Sequence, residues 1–154
     1  MKETEITKLL HHRPPYLLVS EVIEHSKTSI ETIKSFSGDE FFLQGHFPGA
    51  PIVPGAMIQE FCTQSAGILL TKYHCPVENY DSETTKGHAI GVLNKVEFAK
   101  YLSIVKPVSS INAKIELISS ESNLFKFKAK VFQDGTLKAK LLFNLVNISD
   151  DYLF

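Results

Sequence analysis

The sequence predicts an α+β fold: an antiparallel sheet wrapped around one long central helix, in a single domain over residues 1–154. Three observations carry this. Residues 55–73, GAMIQEFCTQSAGILLTKY, are long enough for about five helical turns. They are apolar on nearly every side, as befits a helix enclosed by the rest of the chain. From about residue 88 to 148 the chain reads as four strands, the last two alternating apolar residues with lysines. An apolar content of 44% with 21% charge, over 154 residues, is enough for a real core. A sheet with one apolar face needs a cover, and the helix is the segment that can supply it.

Taken in order, residues 3–10 form a short helix. Residues 16–36 hold two strand-like runs, YLLVSEVIE and TSIETIKSF, that turn at the polar EHSK. Next comes GHFPGAPIVPGAM, residues 45–57, with prolines at 48, 51 and 54 and glycines at 45, 49 and 55. No helix or central strand tolerates so many breakers, so this is a stiff loop built around His46. Pro54–Gly55 starts the helix, where a missing N–H costs nothing. Residues 74–87 are a polar loop. In the last hairpin Phe125, Phe127, Ala129 and Val131 share one face, with Lys126, Lys128 and Lys130 on the other. On the return strand Leu137, Ala139, Leu141 and Phe143 lie opposite Lys138 and Lys140. A two-residue Asp134–Gly135 turn would set Val131 against Lys138. Face matching therefore favours a three-residue loop, Gln133–Gly135, with a bulge and Val131 against Leu137.

Several function classes are disfavoured. A net charge of −1, with lysines and one arginine as the basic residues, argues against a nucleic-acid reader. No stretch has the length and apolarity of a membrane span, and MKETEITKLL lacks the apolar core of a signal peptide. The chain is read as cytoplasmic. Cys62 and Cys75 are separated by roughly 20 Å of helix, too far for a disulfide, which needs Cα atoms within about 7 Å. They are expected to be free thiols. A metal site from Cys62, His74, Cys75 and His88 fits no zinc spacing, so no metal is expected.

Between Glu40 and Lys72 the chain carries one formal charge, Glu60, in mid-helix. A glutamate is ordinarily a surface residue, but a solvated stripe carries several charges and this helix has no other before Lys72. Burial of an isolated carboxylate is costly and raises its pKa. Gln64, one turn on, can hydrogen-bond it. Ala56 and Gly67 leave room for a ligand on the same face. A lone loop histidine such as His46 is usually unremarkable, but this one is held by prolines beside glycines that let a ligand approach. Gly55 N–H at the helix start adds a free donor at the positive dipole end. Base, acid and carbonyl polariser are the parts needed for proton abstraction next to a carbonyl.

Gly45-His46-Phe47-Pro48-Gly49, then Pro51-Ile52-Val53-Pro54-Gly55, then Glu60 and Gln64, closely resemble the signature of the β-hydroxyacyl-acyl-carrier-protein dehydratases, the FabZ/FabA type. The His-to-Glu spacing of 14 matches, and Glu at position 60 looks like the FabZ branch. Upstream, Leu10-His11-His12-Arg13-Pro14-Pro15-Tyr16-Leu17-Leu18-Val19 resembles that family's LPHRxPFLLVD stretch. Residues 9–70 carry most of the match. The chain departs at His11, where the family usually has Pro, and at Ser20-Glu21, where it often has Asp-Arg. Pro107-Val108-Ser109 stands for the usual Pro-Gly-Asp, and the preceding AKYLSIVK is a few residues longer.

The resemblance implies a hotdog fold and a homodimer, often assembled further as a trimer of dimers. Each active site would combine His46 of one subunit with Glu60 of the other. It implies dehydration of (3R)-3-hydroxyacyl thioesters to trans-2-enoyl thioesters, in fatty-acid or related lipid or polyketide-like biosynthesis. His46 would be the base, Glu60 the acid held by Gln64, and Gly55 N–H the thioester polariser. No cofactor is required. The partner is an acyl carrier protein bearing the acyl chain on phosphopantetheine, and the lysine face could help dock it. An isomerase would use the same residues. The alternatives are a hotdog thioesterase, which would not need His46 at this spacing, and a non-catalytic acyl-binding partner, which would not need the acid–base pair.

Overall fold

The computed structural model describes residues 1–87 and 90–152. The elements are α1 (Glu3–Leu9), β1 (Glu21–His25), β2 (Ser29–Lys34), α2 (Gly55–His74), β3 (Ile90–Tyr101), β4 (Ile111–Glu121), β5 (Leu124–Gln133), β6 (Thr136–Ile148) and a terminal 3-10 turn (Asp150–Tyr152). Among the described residues the strands form one antiparallel sheet in the order β1-β2-β4-β5-β6-β3. The chain leaves β2, runs through the proline loop and α2, and re-enters the sheet at its far edge as β3. The sheet is therefore closed over the helix from both sides. This is the hotdog arrangement that the resemblance implies.

The expected elements are present, except that the first strand is shorter than its run: residues 16–20 precede it, and β1 begins at Glu21. Helix α2 begins at Gly55 after an extended Pro54 and ends at His74, one residue beyond the expected stop and just ahead of Pro76. Its residues from Phe61 to Thr71 are all buried. Phe61, Ile68 and Leu69 pack into the sheet core with Ile111, Ile115, Phe127, Leu141, Phe143 and Leu145. Burial of each such side chain is worth roughly 1.5–3 kcal/mol. The helix's polar groups are matched: Ser65 Oγ donates to Phe61 O at 2.7 Å and lies 2.7 Å from Thr32 Oγ1 on β2.

The last hairpin differs from expectation. Gln133 pairs with Thr136, so the turn is the two-residue Asp134–Gly135, both residues at positive φ (49° and 74°). That is the hairpin turn whose twist suits the strands. Face matching is recovered further along: Val131 pairs with Ala139 and Phe132 with Leu137, leaving Lys138 as the extra residue of a bulge. Ala139, Leu141 and Phe143 keep the buried face, while Leu137 moves to the outer one opposite Phe132. Face matching did decide the register, but through a bulge after the turn and not within it.

Cys62 and Cys75 are free, Cys62 fully buried. His88 lies outside the described residues. Among the described residues no group of three His, Cys, Asp or Glu side chains is placed to hold a metal. No helix among them is long and apolar enough to cross a membrane.

Candidate active site

Glu60 projects from the second turn of α2 and its side chain is only 18% exposed. Gln64, one turn on, donates Nε2–H to Glu60 Oε1 at 2.9 Å. Gln64 is itself fixed from the N-terminal segment: its Nε2 also donates to Tyr16 O (2.9 Å), and its Oε1 accepts from Leu18 N–H (2.8 Å). Burial pushes the Glu60 carboxyl above its usual range, and the Gln64 bond opposes that only in part. The charge-poor stretch in the sequence thus surrounds a carboxyl inclined to hold its proton.

A pocket of about 280 Å³ opens in front of Glu60. Leu10, His12, Tyr16, Gly67, Gly91 and Leu93 are among its walls. Gly67 and Gly91 face each other where β3 crosses the helix. A Cβ on Gly91 would come within 3.8 Å of Gly67 Cα, and one on Gly67 within 3.2 Å of Leu10. The small residues on this helix face therefore serve close packing as well as leaving space.

His46 lies on the loop between β2 and α2. Its Nδ1 sits 3.0 Å from Ile52 O, and Ile52 N–H donates to His46 O at 2.9 Å. A carbonyl only accepts, so Nδ1 carries the hydrogen and the neutral ring presents its lone pair at Nε2. A tight turn follows, with Phe47 and Ala50 exchanging backbone bonds across Gly49 at φ 74°. The ring of Phe47, 54% exposed, stacks on His46 at 4.4 Å between centroids. The loop is thus stiff and faces outward. His46 does not line the Glu60 pocket. Within one chain the structure brings Glu60 and Gln64 together and leaves His46 apart.

Gly55 is the first residue of α2, where amides have no acceptor within the helix. Its neighbour is unexpected. A Cβ on Gly55 would meet the Tyr101 ring at 3.1–3.2 Å. Tyr101 ends β3 at the start of the longer AKYLSIVK stretch, which returns to the loop through Val53 N–H donating to Val105 O at 2.9 Å. The glycine admits a ring of its own chain.

One residue was not singled out from the sequence. His12 Nε2 stands 3.6 Å from Glu60 Oε1, and its ring stacks on Tyr16. Arg13 fixes the segment by donating to the carbonyls of Leu10 (2.7 Å) and His12 (3.0 Å), and it reaches Ser82 and Glu83 in the polar loop. His11, at the position where proline was expected, bonds Tyr80 OH of the same loop at 2.7 Å. The signal was present in the His11-His12-Arg13 motif, but sequence spacing does not reveal a contact spanning 48 residues.

A family model, described as the FabA-like domain, matches residues 10–141. A 3-hydroxyacyl-[acyl-carrier-protein] dehydratase FabZ of Petrotoga mobilis is 35% identical over 128 residues, covering 83% of this chain and 84% of the relative. Its counterpart in Ruminiclostridium cellulolyticum is 36% identical over 137 residues, covering 88% and 89%. Among solved structures, the dehydratase heterocomplex ApeI:P from Xenorhabdus doucetiae aligns with a TM-score of 0.75 at 18% identity, over 94% of this chain and 90% of that one. A hypothetical thioesterase with coenzyme A from Streptococcus pneumoniae aligns at 0.62 and 13% identity, over 84% and 85%. At such identities the structural likenesses speak to the fold alone.

Proposed function

The chain belongs to the FabA-like family, and on that premise we propose that it is a 3-hydroxyacyl-[acyl-carrier-protein] dehydratase. Its substrate is a (3R)-3-hydroxyacyl chain held as a thioester on the phosphopantetheine arm of an acyl carrier protein. The observation that carries this reading is Glu60, a carboxyl raised by burial and clamped by Gln64 at the mouth of a pocket.

In the reaction His46 Nε2 removes the proton at C2 and the released electron pair forms the C2–C3 double bond. The C3–O bond breaks, and Glu60 gives its proton to the departing hydroxyl, which leaves as water. Gly55 N–H donates to the thioester oxygen while negative charge develops there. The products are a trans-2-enoyl thioester and water. The site resets when His46 loses its proton and Glu60 regains one. This chemistry requires no cofactor, and the protein would work in the cytoplasm.

The working unit is a homodimer, in which His46 of a second copy faces Glu60. Strand β3 supports this. It bonds β6 on one side and, among the described residues, no strand on the other. It carries Val92, Leu93, Val96, Phe98 and Tyr101, all substantially exposed. A long bare apolar edge is a template for a second copy.

The test is incubation of the purified protein with 3-hydroxyacyl carrier proteins of several chain lengths. Enoyl-thioester absorbance, free thiol and the mass of the carrier are followed together. Loss of one water from the bound chain with rising absorbance is expected. Release of free thiol would mean a thioesterase, and no change at any chain length would mean a binding protein.

A further inference from the structure

The dehydration proposed above needs Glu60 to hold its proton on one defined oxygen, and His12 bears on which. Its Nε2 lies 3.6 Å from Glu60 Oε1, the same oxygen that accepts from Gln64. The ring is stacked on Tyr16 with centroids 6.0 Å apart and planes 19° from parallel. Its other nitrogen, Nδ1, is buried and has no hydrogen-bond partner. A hydrogen on Nδ1 would be a buried donor without an acceptor. On Nε2 it stands on the side of the Glu60 carboxyl, 3.6 Å from Oε1. The geometry therefore selects the tautomer with the hydrogen on Nε2.

We propose that His12 is a positioning residue whose Nε2–H, together with Gln64, occupies Oε1 of Glu60, so that Oε2 carries the proton delivered to the leaving hydroxyl. This deepens the dehydratase reading and rests on it. At 3.6 Å the contact is too long for a hydrogen bond. Closure by about half an ångström makes one, and catalytic bonds commonly tighten in this way when substrate fills the site. The surroundings keep the imidazole from becoming a cation. Burial lowers its pKa, followed by the charges of His11 and Arg13. Glu60 is the acid facing it. Around the pocket of Glu60 stand Gln64 and Thr63 from α2, the titratable His11, His12 and Tyr16 from the N-terminal segment, and Gly91, Val92 and Leu93 from β3, the last three uncharged. Arg13 is turned away toward Glu83 at 3.3 Å. A neutral donor suits the task, because a cation here would favour the carboxylate and strip the acid of its proton.

Three variants test this. His12→Phe keeps a ring on Tyr16 but no donor, His12→Ala keeps neither, and His12→Gln restores an N–H at the reach of Nε2. In the Phe and Ala variants kcat is expected to fall roughly 10-fold with KM nearly unchanged, and the Gln variant to recover most of it. Independently of turnover, the infrared carboxylic-acid band of Glu60, identified by its loss in Glu60→Gln, should titrate at higher pH in His12→Phe and His12→Ala. Wild-type kcat and an unmoved band in His12→Phe would overturn the proposal. So would parallel loss of kcat and thermal stability in all three variants with the band unmoved, because the ring would then serve packing alone. A moved band in a protein that dehydrates no 3-hydroxyacyl thioester would retain the His12 contact and overturn the dehydratase reading.

Discussion

The two halves of the candidate site are built in opposite ways. Around Glu60 the support comes from distant parts of the chain: Gln64 is 1% exposed, bonds Glu60 within the helix, and joins the helix to Tyr16 and Leu18 through two further hydrogen bonds. Nearest His46 the bonds are local, to Ile52 and across the Phe47–Ala50 turn, the loop is tied outward at Val53 N–H to Val105 O, and the outer ring of Phe47 is exposed. The half proposed to hold the acid has its contacts within one chain. The base half is stiff but presented outward. In the dimer proposed here, rigidity does for the base what burial does for the acid: each group arrives already oriented, and assembly only has to bring them together.

The comparison breaks most directly by separating the halves. His46→Ala and Glu60→Gln should each lose about 10²–10⁴ in kcat, the usual worth of a positioned acid or base. Mixed and exchanged, the two inactive proteins should regain activity, because a heterodimer pairs an intact His46 with an intact Glu60. No recovery after verified subunit exchange would mean that each site is complete within one chain, and the outward loop would need another explanation.

A second contrast concerns stability. Gln64→Leu leaves the buried Leu18 N–H without a partner, at a cost of about 1–3 kcal/mol, and frees the more exposed Tyr16 C=O to water. Denaturant unfolding should register this together with lost activity. Phe47→Ala, on the exposed loop, should stay within about 0.5 kcal/mol of the parent. Equal losses would mean that the loop is as deeply integrated as the helix.

Much of this was legible in the sequence, for identifiable reasons. Period-2 alternation and the charge-poor helix gave the sheet and its cover. The gap in charge exposed Glu60, and the i, i+4 rule supplied Gln64. What could not be read is what depends on non-local contact. His12 meets Glu60, and Tyr101 meets Gly55, only because the sheet closes over the helix. The hairpin register went astray for a local reason. Alternation requires matching faces but does not say where the extra residue sits, and the structure puts it at Lys138, beyond the turn.

Tyr101 sharpens the comparison at the helix start. Gly55→Ala would press a methyl onto a ring 3.1 Å away, so the ring must shift. A fall of roughly 10-fold in kcat/KM is expected, as for other small misplacements beside reacting groups. If the crowding is internal, adding Tyr101→Ser should return much of the loss, and the two changes will couple strongly. Additive losses would instead mean that the glycine is kept open for substrate and that Tyr101 is incidental.

The smallest effect is thermodynamic and belongs to Glu60 alone. Its pKa in the folded chain is raised by burial. Between the unfolded value, about 4.3, and that raised value, the native state binds more protons than the unfolded one. Stability therefore declines as pH rises through the window. Above it Glu60 is ionised in both states and the full cost of holding a buried carboxylate is present. Below it both states are protonated and the cost vanishes. Glu60→Gln removes the charge and keeps the shape, so its Tm should exceed the parent's at neutral pH, by roughly 2–4 °C for each kcal/mol recovered in a chain of this size. The gap should close as pH falls toward 4. A variant less stable than the parent at neutral pH would mean that Glu60 is held there by a favourable partner and not strained by burial. The acid half would then be tuned for ionisation, and the proton for the leaving hydroxyl would have to come from elsewhere.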